Sequence, residues 1–223
     1  MNGAGQRQLS ENVDFNRTLT LSADGHYIVF VSTRDGKQHL WRIDADGSHL
    51  QRLTDGVRDT APVISRDGQW VVYRSNTLGS ANVFKVPING GQPTRLTEKV
   101  SGPPALSPDG KFIACGYREM QNFRKLAIIP FAGGAPIKEL DLPDVSWNLY
   151  FQWTNDGQSL AYVSTKGGVS NLWLQPLNGG KPAQMTLFDS QRIFRFAFSP
   201  DGHQLAVARG QVANDVVLIK ASK

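Results

Sequence analysis

The stretch Leu106-Ser107-Pro108-Asp109-Gly110, followed after Lys111 by Phe112-Ile113-Ala114-Cys115, decides the fold because it recurs along the chain. The same phrase stands as Leu21-Ser22-Ala23-Asp24-Gly25 and Ile64-Ser65-Arg66-Asp67-Gly68, then as Trp153-Thr154-Asn155-Asp156-Gly157 and Phe198-Ser199-Pro200-Asp201-Gly202. Successive glycines stand 43, 42, 47 and 45 residues apart. Copies at so even a spacing mean one structural unit repeated along the chain.

Each copy has the same sequel. An apolar run follows the glycine, at residues 27–31, 70–73, 112–115, 160–163 and 205–208. A polar loop and a second run come next, at 40–43, 83–86, 126–129, 172–174 and 216–219. Turn dipeptides follow at Asp46-Gly47, Gly90-Gly91, Gly133-Gly134 and Gly179-Gly180, and a short run such as Arg52-Leu53-Thr54 or Arg95-Leu96-Thr97 closes the unit. The runs are short and rich in β-branched and aromatic residues, which marks strands. Asp-Gly and Gly-Gly supply the positive φ of tight hairpins. Four antiparallel strands every ~40–45 residues form one blade of a β-propeller, and blades bury their faces only by stacking in a ring.

The Ser-Pro-Asp-Gly phrase, the run after it and the Gly-Gly…Leu-Thr tail resemble the TolB-type, WD-like β-propeller repeat. The resemblance covers nearly the whole chain and implies an all-β fold and a ring of six blades in the type protein. It says little about function, because one scaffold serves many unrelated activities.

The chain is expected to be a single propeller domain over residues 1–223, with repeat cores near 17–54, 60–97, 102–140, 148–186 and 193–219. Residues 3–10 match an outermost strand and residues 216–219 a third strand. Pairing them would complete five four-stranded blades, with 3–10 as a latch. The alternative is a fragment of a six- to eight-bladed ring, whose open faces would allow self-association.

Composition excludes several classes. No apolar run reaches the roughly 18–20 residues of a membrane span. The polar, acid-containing start is not a secretion signal. A single cysteine, Cys115, excludes an internal disulfide and a cysteine-built zinc site. His26, His39, His49 and His203 lack metal-ligand spacing. There is no Gly-x-Ser-x-Gly elbow, phosphate loop or kinase signature. The net charge of +5 is spread without aromatic interleaving, which disfavours nucleic acid. No cofactor and no catalysis by these residues is expected.

With strands lettered a to d from the channel outward, the a–b and c–d turns share one rim. The b–c and d–a loops share the other. The motif aspartates Asp24, Asp67, Asp109, Asp156 and Asp201 precede glycine at hairpins, where aspartate bonds its own backbone. They read as turn residues set apart around the ring, not as acid–base or calcium groups. The variable rim is the candidate binding surface. Its b–c loops carry Arg34, Arg74, Arg118, Lys166 and Arg209, and its d–a loops carry Arg17, Arg58, Arg192 and Arg195. The competing reading is solvated charge paired with Asp35, Asp59, Glu119 or Asp189. Trp147 and Asn148 sit in the longest d–a loop, where a tryptophan serves as a contact residue or as a channel plug.

The expected function is a non-catalytic binding or scaffold propeller that engages a protein or peptide, with the basic rim favouring an acidic one. The resemblance admits a periplasmic setting like that of TolB, or the sensor propeller of a bacterial Ser/Thr kinase or winged-helix regulator, and the compartment stays open. The alternative is the substrate-gating propeller of a hydrolase or peptidase, or a propeller enzyme acting on glycans.

Overall fold

A computed structural model describes residues 8–9, 16–119, 122–142, 150–199 and 201–211. Among them every regular element is a strand. The first blade runs β1 (Asn16–Leu21), β2 (Tyr27–Ser32), β3 (His39–Asp44) and β4 (Gln51–Arg52). The second runs β5 (Asp59–Ile64), β6 (Trp70–Ser75), β7 (Asn82–Pro87) and β8 (Thr94–Arg95). The third holds β9 (Ala105–Leu106), β10 (Phe112–Glu119), β11 (Asn122–Pro130) and β12 (Lys138–Asp141). The fourth holds β13 (Gln152–Trp153), β14 (Ser159–Lys166), β15 (Val169–Pro176) and β16 (Ala183–Gln184). A fifth sheet shows β17 (Arg192–Phe198) paired with β18 (Leu205–Gly210). All pairings between the described strands are antiparallel and join sequence neighbours, as a propeller requires. The expected latch at 3–10 and strand at 216–219 lie outside the described residues, save Gln8 and Leu9, which are not in a strand.

Two-sided burial explains the unbroken apolar runs. Val71 and Tyr73 of β6 pack with Val29, Val31 and Leu40 of the first blade. Val72, between them, turns the other way and packs with Ile113 and Cys115 of the third. Successive side chains of a strand point to opposite faces, so a blade inside a ring needs apolar residues at every position. Each fully buried side chain of this kind contributes about 1.5–3 kcal/mol. On β1, which touches β5 of the second blade, Leu19 and Leu21 are nevertheless 71% and 55% exposed, whereas Phe151 and Trp153, their counterparts in the fourth blade, are buried.

The repeat phrase is a turn device. Ser107 Oγ donates to Asp109 Oδ1 at 2.6 Å, Asp109 Oδ1 also accepts the Lys111 amide at 3.0 Å, and Phe112 N donates to Ser107 Oγ at 2.9 Å. Gly110 adopts φ 72°, which an L side chain rarely does. The other four copies repeat this network, with Thr154 replacing serine in the fourth blade. Adjacent turns come within reach of a long side chain: Arg66, before the second turn, donates to the Pro108 carbonyl of the third at 3.1 Å.

Further bonds act within blades and between them. The closing threonines Thr54, Thr97 and Thr186 accept the amides of Leu40, Val83 and Leu172 at 2.9–3.0 Å, fastening the outer end of each blade to its third strand. Between blades, Arg42 reaches the Ile88 carbonyl and Lys85 the Phe131 carbonyl, at the c–d turn of the next blade.

Candidate functional site

The b–c and d–a loops meet on one rim, as the topology requires. Gln38 of the first b–c loop bridges Arg58 of the following d–a loop, and the Asp59 amide donates to the Gln38 carbonyl at 2.8 Å. The same joint recurs where Ser101 N donates to Ala81 O at 2.7 Å, and again where Ser170 N donates to Gln191 O at 3.0 Å. The motif aspartates occupy the other rim.

The rim cations divide into two kinds. Arg34 lies over the rings of Phe30 and Trp41, 5.4 and 4.8 Å from their centroids, and bonds Ser32 Oγ at 3.3 Å. Arg74 is half-buried and donates to the Ser101 carbonyl at 3.0 Å. Burial lowers its guanidinium from the ordinary value, and the like charge of Arg58 adds to this, against an opposing influence of Tyr150. Arg209 stacks on Phe188 at 3.6 Å and donates to Ser190 O at 2.6 Å. These three guanidiniums are bolted to the scaffold. Arg58, Arg118, Lys166, Arg192 and Arg195 are exposed. Arg58 donates to Gln38 Oε1 at 3.2 Å, and Arg195 lies over the Tyr150 ring at 3.9 Å with a bond to its hydroxyl at 3.0 Å. Arg17 lies on β1, and its side chain is outside the described set, as are Trp147 and Asn148.

Three of the carboxylates expected near these cations have described side chains, and each makes bonds of its own. Asp35 Oδ2 lies 2.8 Å from both His39 Nδ1 and Arg52 Nη1. Burial alone would raise its carboxyl, but the Arg52 and His39 bonds outweigh that and hold it below the usual range. Asp59 is fully buried and accepts the Gly56 amide at 3.1 Å, and Asp189 accepts from Ser190. The side chain of Glu119 is not among those described.

Inside the rim, the described inner strands border a cavity of about 990 Å3. Its walls include Ala105, Phe151, Trp153, Phe194 and Phe196. The charged residues on the described lining are Arg192 and Arg195, with no carboxylate among them.

The wall also holds two features that the sequence reading missed. Thr18 and Ala61 stand at bulges in β1 and β5 with φ 47° and 53°, where a residue bearing a Cβ is strained. Such conformations cost on the order of 1–3 kcal/mol each and concentrate where a wall is shaped for a task. Neither residue carries a turn signature that could have announced it.

Cys115 is fully buried, as its strand position implied, and burial pushes its thiol up to about 12. Among the described residues no group of three or more His, Cys, Asp or Glu could hold a metal. No helix among them is long and apolar enough to cross a membrane.

Comparison with known proteins places this geometry. TolB from Acinetobacter baumannii superposes with a TM-score of 0.66 at 20% identity, over 86% of this chain and 48% of that one. An oligogalacturonate lyase from Vibrio parahaemolyticus gives 0.64 at 15%, over 85% and 57%. A gluconolactonase from Xanthomonas campestris gives 0.67 at 16%, over 91% and 71%. At these identities the likeness shows the fold alone, and the chain spans about half the length of the Acinetobacter protein. No curated protein matches the chain. The TolB β-propeller domain profile matches residues 2–135, more than half the sequence, and the chain therefore belongs to the TolB β-propeller domain family.

Proposed function

We propose that this chain is a non-catalytic binding propeller that engages an acidic protein or peptide segment through its b–c and d–a rim. One observation carries the reading: the described cavity lining behind that rim bears two arginines and no carboxylate. The rim adds exposed Arg58, Arg118 and Lys166 around it. Cations gathered at one mouth, with apolar walls behind, focus a field that attracts an anionic partner. The bolted guanidiniums of Arg34, Arg74 and Arg209 serve as fixed charge beneath the contact layer and keep the loops in place.

The test uses the exposed cations, whose reversal leaves packing intact. A variant carrying Arg58→Glu, Arg118→Glu, Lys166→Glu and Arg192→Glu is compared with the wild type in capture from lysate, read by mass spectrometry, with equal thermal midpoints as the control. Loss of acidic captured polypeptides, with recovery of capture failing at high salt, is the expected result. An unchanged set of partners on both proteins would overturn the reading.

A second reading draws on the fold likeness to the oligogalacturonate lyase, since an anionic glycan would also suit a cationic mouth. Depolymerisation of an acidic polysaccharide by the chain alone, abolished by Arg192→Glu, would replace the binding-only reading.

A further inference from the structure

The residue just before each amide that bonds a closing threonine occupies one recurring slot. It is His39 in the first blade, Asn82 in the second and Asn171 in the fourth. Each of the three side chains reaches into the segment between the d strand and the next a strand. Asn82 Nδ2 donates to the carbonyls of Thr97 and Lys99 at 3.1 and 3.0 Å, and Asn171 Nδ2 donates to Phe188 O at 3.1 Å. His39 Nε2 stands 2.8 Å from Gly56 O. An asparagine amide keeps its donor protons at every pH, whereas an imidazole does not.

His39 is 4% exposed, and its second ring nitrogen, Nδ1, lies 2.8 Å from Asp35 Oδ2. Both partners accept and neither donates, so both bonds exist together only when the ring carries two protons. The charged and titratable groups around the ring come from several elements. Asp35 faces it from the b–c loop, and Arg52 of β4 shares the same Asp35 oxygen at 2.8 Å. Arg52 also pairs with Asp55 at 2.6 Å. Behind Gly56 stand Asp59, which accepts the Gly56 amide, and Arg58, bound to Gln38. From β6 comes Tyr73, whose hydroxyl is pushed above its usual range by burial and then by Asp59 and Asp55. Three carboxylates and two guanidiniums leave one negative charge for an imidazolium to balance.

We propose that His39 is a proton-dependent clasp on the first d–a loop, residues 53–58. With two ring protons it joins Asp35 to Gly56. On losing one, the ring keeps the bond to the charged acceptor, Asp35, because charge-assisted bonds are the stronger. The Nε2 lone pair then faces the Gly56 carbonyl, and the loop that carries Arg58 is released from the ring. The second and fourth blades, with asparagine in the slot, hold their loops at any pH. The consequence for partner binding rests on the reading of this rim as the contact surface: the loop bearing Arg58 is held by both the His39 and the Gln38 bonds at low pH and by the Gln38 bonds alone at high pH.

The test needs no partner, so it is independent of that reading. Imidazole nitrogen shifts of His39 and hydrogen-exchange protection of the Gly56 amide are followed from about pH 5.5 to about pH 8.5. Protection, corrected for the intrinsic rate, is expected to fall about tenfold as the His39 ring titrates, while the Ser101 amide of the next joint stays constant. His39→Asn should make Gly56 protection independent of pH. Constant Gly56 protection through the His39 titration, or the same pH dependence in His39→Asn, would overturn the clasp. If that variant does not fold, the wild-type shifts and protection decide the matter alone.

Discussion

Val83 donates its backbone N–H to the hydroxyl of Thr97 at 2.9 Å, across the joint between the third and fourth strands of the second blade. Thr97 is 1% exposed, and the same oxygen accepts Ser101 Oγ at 2.9 Å, so one hydroxyl serves the blade and the rim loop beyond it.

Thr97→Val keeps the shape of the side chain and removes that acceptor. The buried Val83 amide then loses its partner, while the Ser101 hydroxyl keeps the Lys99 carbonyl at 2.8 Å, and an unsatisfied buried group costs about 1–3 kcal/mol. The expected outcome is a lower urea midpoint at unchanged slope, because no surface is gained or lost. A midpoint equal to the wild type would show that the threonine clamp contributes nothing to stability.

The five turn aspartates should govern acid stability. Each carboxyl is held below its ordinary value of 3.8, first by the hydroxyl of Ser22, Ser65, Ser107, Thr154 or Ser199 and next by a backbone amide. A carboxyl depressed in the folded state stabilises it above the unfolded value, and that contribution disappears as pH falls through the lower folded value. The thermal midpoint should therefore hold down to about pH 4 and fall steeply below it. Asp109→Asn, which keeps the acceptor but not the charge, should lower the midpoint at neutral pH and flatten the acid limb. A variant curve parallel to the wild type at every pH would show that Asp109 has no part in it.

Cys115 should be unreactive in the folded protein. Its thiol is fully buried and pushed up to about 12, so little thiolate forms and reagent has no access. Labelling with a thiol reagent at pH 8 should track global unfolding and accelerate with urea along the unfolding curve. Fast labelling in native buffer would mean that the interface between the second and third blades opens locally.

Much of this architecture was legible in the residues. Asp-Gly after a Ser or Thr two positions earlier reads as a turn because every bond it makes is local, from Ser107 to Phe112. The apolar runs, free of polar alternation, announced burial on both faces, which Val71 and Val72 realise by packing against different blades. The roles of His26 and His203 as exposed residues just past the turn were equally readable, since each donates only its backbone amide to the turn aspartate.

The sequence by itself determined the repeat, the strands, the turns and the sorting of loops onto two rims, because all of these depend on contacts within one unit of about 40–45 residues. Which cations of the rim are sunk against the scaffold and which stand exposed is settled by the tertiary packing. Arg74 and Arg118 hold matching places in their blades, yet Arg74 is fastened to Ser101, 27 residues away, and Arg118 is exposed. The tertiary structure likewise decided that His39 stands between two acceptors, one from its own loop and one 17 residues further on. Partners of that kind come from neighbouring loops and blades, and their approach is set by how the blades stack around the ring axis, which no local pattern of residues encodes.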